Sequence, residues 1–225
     1  MSKKMMVLAL AVACAALFAL PAVASAQTWH LGSSTATFSV SGSGGQLTST
    51  AGGSISCTGT TGSGSFSTST TGSASLSFTG CKGPLGVSCT SAGAATGVIS
   101  ATNEFHAIMV ATNKPGLLLT GKEANSATSA KGPQFAEFSC FGLTVKVFGP
   151  GVIGTISSPA CGVASSTADL VFGSTAQTGH QEDMTYTGAT YDLESTITGS
   201  HPTASLDGTA LITFTSGAQT MTCTH

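Results

Sequence analysis

The chain has 225 residues with seven lysines, no arginine and nine carboxylates, so its formal charge is −2 and only 7% of it is charged. Nucleic-acid binding needs clustered Lys and Arg to neutralise phosphates, and a polybasic hold on anionic lipid needs the same clusters. Their lack excludes nucleic acid as a partner and excludes electrostatic attachment to lipid.

The N-terminus carries the first recognisable element. Lys3 and Lys4 form a basic start, Met5 to Leu20 is an unbroken apolar run, Pro21 ends it, and Ala24-Ser25-Ala26 is a small-x-small site. This is the pattern of a secretory signal peptide over residues 1–26, cleaved between Ala26 and Gln27. A transmembrane helix needs about 20 apolar residues, and Met5 to Leu20 falls short. Leu10 to Cys14 is loosely lipobox-like, but lipidation at Cys14 would strand the apolar Ala15 to Ala26 on the mature protein. The expected mature protein is secreted or cell-surface associated, has no transmembrane anchor, and holds five lysines against nine carboxylates, a net charge of −4.

Downstream, period-2 alternation dominates. In chain order, Ser75–Thr79, Leu143–Val147, Asp183–Thr187, Thr209–Phe214 and Met221–Thr224 alternate hydroxyl and apolar side chains between Gly, Pro, Asn and Ser. Thr favours extended backbone, so these hydroxyl faces are compatible with strands. Roughly a dozen short strands with frequent turn signals predict an all-β, antiparallel sandwich or barrel. Ser41 to Gly53 reads as the most flexible stretch, and Gly121 to Lys131 as the one short helical piece. Residues 27–225 are expected to form a single β-domain, and a change of texture marks 100–115 as the alternative boundary.

Loss of Cys14 with the signal leaves Cys57, Cys81, Cys89, Cys140, Cys161 and Cys223, an even number in an exported chain. That predicts three disulfides. Zinc fits poorly, because no C-x-x-C pair is present and only His225 lies at ligand spacing from a cysteine. Cys57, Cys89, Cys140 and Cys223 each follow an apolar and then a hydroxyl residue, which points their sulfurs toward a core. Cys81 and Cys161 sit in turn chemistry. Joining each turn cysteine to its nearest strand cysteine gives Cys81–Cys89 and Cys140–Cys161, with Cys57–Cys223 tying the first strands to the last.

Candidate chemistry is sparse. G-x-S-x-G, H-E-x-x-H, P-loop, Rossmann and EF-hand motifs are absent from the sequence. His180-Gln181-Glu182-Asp183 is the densest polar cluster and reads as an exposed loop. Glu104 and His106 share one strand face opposite Phe105, without an evident partner for general-base work. Tyr186, Tyr191 and Trp29 are too few to announce a sugar-stacking platform. No catalytic residue, cofactor site or metal site is assigned, and the chain is expected not to be an enzyme.

Phe105-His106, the run Asn113-Lys114-Pro115-Gly116-Leu117-Leu118-Leu119-Thr120, then Phe135-Ala136-Glu137-Phe138-Ser139-Cys140 and Gly151 to Cys161 resemble a group of small secreted actinobacterial proteins of unknown function. Phe78-Thr79-Gly80-Cys81 fits the same group. The resemblance implies export and a disulfide-bonded β-fold, and it supplies no catalytic residue. In composition, the Ser/Thr/Gly-rich half is similar to secreted activators of alkane oxidation. The leading expectation is a non-enzymatic interaction or structural module of the cell surface or medium, its partner left open between a cell-envelope component and a neutral or apolar ligand. The alternatives are a binding module for an apolar or neutral ligand (hydrocarbon, lipid or glycan) and a hydrolase with a dispersed site.

Overall fold

The computed structural model describes residues 27–51, 53–122, 132–173, 179–183, 185–187, 189–196 and 200–224. The expected signal segment, Ala26 included, lies outside the described residues, and Gln27 is the first of them. In chain order the strands are β1 (Trp29–Leu31), β2 (Thr37–Gly42), β3 (Gly45–Ser49), β4 (Ser54–Cys57), β5 (Gly59–Phe66) and β6 (Thr71–Thr79). A 3-10 turn at Pro84–Gly86 precedes β7 (Cys89–Thr90), β8 (Ile99–Ala111) and β9 (Lys114–Gly121). There follow β10 (Gln134–Cys140), β11 (Leu143–Phe148), β12 (Val152–Ser158), β13 (Ala164–Ser165) and β14 (Thr167–Phe172). The last are β15 (Thr185–Tyr186), β16 (Ala189–Thr190), β17 (Leu193–Thr196), β18 (Thr203–Phe214) and β19 (Gln219–Cys223).

Eight strands, β2, β5, β6, β8, β9, β12, β14 and β18, pair antiparallel in chain order, and β18 closes the ring onto both β14 and β2. This is an up-and-down barrel, which leaves no free edge. Alternation decides what faces inward. On β8, Ile99, Ala101, Asn103, Phe105, Ala107 and Met109 are buried, while Glu104 and His106 are exposed.

Phe38, Phe66, Phe105 and Phe214 pack inside, with Phe66 and Phe105 edge-to-face at 4.8 Å. Two strand glycines make room for these rings. A Cβ on Gly64 would overlap the Phe38 ring, and one on Gly72 would overlap the Phe105 ring and the Ser65 carbonyl. Gly72→Ala is therefore expected to destabilise the fold by about 1–3 kcal/mol through overpacking. A lowered urea midpoint with an unchanged m-value would register this.

The extra strands build a second layer at one end. β18 is long enough to serve both: Leu211–Phe214 pairs with β2, whereas Ala204–Gly208 pairs with β3 and Thr203–Ala204 with β17. From β17 the sheet runs to β11, β10 and β7, and from β3 to β4. The bridges Ser56↔Lys82 and Lys82↔Ser88 bring its two ends together, so this sheet curls into a smaller barrel. The opposite end of the main barrel is covered by the sheet β1-β19-β13. There Trp29, Leu31 and Met221 are buried, and the Trp29 indole N–H donates to the Gly116 carbonyl at 2.8 Å.

All three disulfides form, but with other partners than expected: Cys57–Cys81, Cys89–Cys140 and Cys161–Cys223. The reason lies in the small barrel. Ser56↔Lys82 sets Cys57 opposite Cys81, Lys82↔Ser88 sets Cys81 opposite Cys89, and Cys89 is opposite Cys140. Four cysteines thus stand in a row across four antiparallel segments. Cys81 and Cys89 are neighbours, as proximity in sequence suggested, joined by the Cys89 N–H to Cys81 carbonyl bond at 3.0 Å. Their sulfurs turn outward along the row to Cys57 and Cys140. Cys81, expected in an open turn, is fully buried.

Within Ser41 to Gly53, read as the most flexible stretch, β3 is paired on both sides, to β18 and to β4. Residues 100–115, the alternative boundary, lie in β8 and β9, which are paired neighbours in the main barrel. Of the helical piece, residues 123–131 lie outside the described residues, and Gly121 ends β9.

Candidate functional site: an apolar end on the small barrel

The hairpin β10–β11 turns through Phe141 and Gly142, both with positive φ (55° and 75°). Such a two-residue turn matches strand twist but asks for left-handed backbone, which suits Asn-Gly and strains Phe. A second turn follows Cys81, where Leu85 and Gly86 also have positive φ (60° and 75°). The barrel turn between β8 and β9 resolves the same demand in the usual way, with Asn113 at φ 58°. At the two small-barrel tips the chain instead holds Leu and Phe.

These side chains point outward. Leu85 is 95% exposed, Phe141 and Leu143 47% each, and Val87 37%. The two tips adjoin, since a Cβ on Gly83 would lie 3.5 Å from the Phe141 ring and 3.2 Å from the Cys89 sulfur. The Cys89–Cys140 disulfide ties the two turns together. Between them opens a groove of about 160 Å³, lined by Leu47, Ile55, Pro84, Phe141, Leu143 and Val145 with Ser and Gly at its rim. Among the described residues, no charged side chain lines it. Contiguous exposed apolar surface on a soluble fold marks contact with something apolar. Left-handed bulky residues are sparsely populated conformers that persist where the fold holds them.

Sequence reasoning placed no weight on these tips. A usable signal was present: Leu85-Gly86 and Phe141-Gly142 each place a large apolar residue where Asn-Gly is the expected turn.

The residues weighed earlier lie elsewhere. His180, Glu182 and Asp183 do not converge on one point. His180 Nδ1 and an Asp192 carboxylate oxygen are 2.9 Å apart, while Asp183 pairs with Lys114 at 3.1 Å. Among the described residues, no group of three His, Cys, Asp or Glu is arranged to hold a metal. Gln181 is wholly buried, accepting from the Leu206 N–H and donating to the Gly173 carbonyl.

Burial raises the Asp192 pKa, against the opposing pull of the His180 bond and charge and of the Leu193 and Gln181 N–H groups. A carboxyl raised on folding favours the fold below the usual carboxylate range, and that contribution is lost as pH rises through the folded pKa. Carboxyl NMR of Asp192 is expected to show a midpoint above its ordinary 3.8.

Tyr186 and Tyr191 do come together, with ring centroids 6.5 Å apart, over Ile108, Leu118 and Ile153 on the outside of the main barrel. With His106, Thr28, Thr71 and Thr120 they border a shallow groove of about 420 Å³. Trp29 is not part of it, being buried under the β1-β19-β13 sheet.

Fold and site define a disulfide-bonded all-β protein: a closed eight-stranded barrel carrying a smaller barrel with an apolar end. No family model, no curated protein and no solved structure matches the chain.

Proposed function

We propose that this chain is an exported, non-enzymatic interaction module that seats the apolar end of its small barrel on a lipid surface of the cell envelope. One observation carries the reading: Leu85 and Phe141 are each held exposed in backbone that disfavours them, on two turns whose Pro84 and Phe141 line one groove. Their groove has neutral lining, and exposed Lys82 is the nearest cation in sequence, two residues from Pro84. That combination suits the boundary between headgroups and acyl chains. Three disulfides are compatible with an oxidising exterior, and among the described residues no helix is long and apolar enough to cross a membrane.

Surface pressure of a phospholipid monolayer tests this. The protein is expected to insert and raise the pressure, and Leu85→Asn/Phe141→Asn is expected to leave it unchanged. Equal insertion by both proteins overturns the reading. So does self-association, abolished by the same substitutions, in a protein that does not insert.

A second reading, a module for a neutral glycan, draws on the Tyr186–Tyr191 groove, where tilted rings meet threonine hydroxyls. In that case Tyr191→Ala removes glycan binding and the tip substitutions do not.

A further inference from the structure

The apolar groove does not end at the surface. Behind it lies a void of about 50 Å³ inside the small barrel, and the two share Leu47 and Ile55 as walls. A third void of about 60 Å³ lies inside the main barrel, and it shares Gly45, Phe78, Phe135 and Leu206 with the second. Successive positions on one face of single strands line successive spaces. On β11, Leu143 and Val145 border the outer groove and Val147 the middle void. On β6, Phe78 borders both inner voids, while Leu76 and Ala74 border only the deepest. On β18, Leu206 separates the inner two, and Ala210 and Ile212 continue into the last. The three spaces therefore form one line from the exposed tips into the core of the main barrel.

Each inner void exceeds the roughly 10–15 Å³ that one water needs, yet their walls are almost wholly apolar. Water gains few hydrogen bonds in such a space, whereas a hydrocarbon gains burial. The voids are small and adjoin through shared walls, which suits a slender chain better than a ring or a branched group. Among the described residues, no charged side chain borders the inner voids apart from Asp207, next to Gly208 at the deepest one. A charged or polar head therefore stays at the mouth.

We propose that these three spaces are one binding channel for a single unbranched alkyl chain. The chain enters between Pro84 and Phe141, passes Phe78 and Leu206, and ends against Ala74 and Ile212. Small rotamer changes of Phe78 and Leu206 join the inner voids. This rests on the reading of the tips as a contact with lipid, and it adds that one chain leaves the lipid for the protein interior.

The test uses the full mature protein and dodecanoate carrying a ¹³C-labelled terminal methyl. On binding, the methyl resonance is expected to move under the ring currents of Phe78 and Phe105 and to show cross-relaxation with Leu76. Leu206→Trp fills the junction of the inner voids. By excluding at least two methylenes, it is expected to weaken binding about tenfold and to abolish the methyl shift. Phe78→Ala widens the junction and is expected to shift preference toward tetradecanoate. A methyl resonance that stays at its free position with the unaltered protein overturns the channel. So does an undiminished shift in Leu206→Trp, or an unchanged chain-length preference in Phe78→Ala. Methyl entry and monolayer insertion, both measured on the unaltered protein, separate the two proposals. Methyl entry without monolayer insertion sinks only the surface reading, and monolayer insertion by the unaltered protein without methyl entry sinks only the channel.

Discussion

Replacing Cys89 and Cys140 together by alanine is expected to cost about 4 kcal/mol of stability. The disulfide spans 51 residues, and loop-closure entropy for a loop of that length gives about that value, within the 2–5 kcal/mol typical of native disulfides. The effect is larger than for most single substitutions because this bond closes the small barrel at its shortest strand. β7 has two residues, and Cys89 and Cys140 are one of its two pairings with β10. Both cysteines are buried, so alanine leaves no exposed polar group behind, only lost constraint and a small void. The substitution also frees the turn at Leu85 from the turn at Phe141. The expected result in urea is a strongly lowered midpoint, together with reduced lipid insertion under conditions where the protein is still folded. A loss below about 1 kcal/mol would mean that β7 is held by its neighbours rather than by the bond.

Leu85→Asn/Phe141→Asn is expected to act in opposite directions on stability and on binding. Asn tolerates left-handed backbone, as Asn113 does at the β8–β9 turn. Relief at two such positions is expected to raise stability by about 1–2 kcal/mol. Neither change alters charge. Burying a Leu or Phe side chain in an apolar phase contributes about 1.5–3 kcal/mol each. Losing both is expected to lower partition onto lipid vesicles at least a hundredfold. A thermal midpoint that rises while partition collapses is the signature of residues kept for contact rather than for folding. A fall in stability would assign the tips to the packing of the small barrel instead.

Much of the architecture was legible in residue order. The alternation at Ser75–Thr79, Leu143–Val147 and Thr209–Phe214 falls within β6, β11 and β18, because inward and outward faces impose period 2 directly. Asp183–Thr187 yields only the two-residue β15, in a segment that packs its tyrosines on the outside of the barrel. The cysteine pairing was not legible. Once Cys57, Cys81, Cys89 and Cys140 stand in one row, each inner cysteine has two neighbours, and no local pattern says which one its sulfur meets. The strand β18 hides a second feature of the same kind. Its twelve residues form one continuous strand, yet one half serves each barrel, a division set by partners far away in sequence. The apolar end was missed because the sequence reading followed polar chemistry. His180, Asp183, Glu104 and His106 drew attention, while Leu85 and Phe141 looked like ordinary apolar residues until their backbone and exposure were known.

Fluorescence of Phe141→Trp on vesicles with brominated acyl chains tests the central claim most directly. The native Trp29 is 1% exposed at the far end of the main barrel and provides a constant background. Leu211→Trp, at an exposed position on β18, is the control. Contact through the small-barrel end gives blue-shifted, strongly quenched emission from the tryptophan at 141 and unquenched emission from the one at 211. Equal quenching at both positions, or none at either, would contradict it.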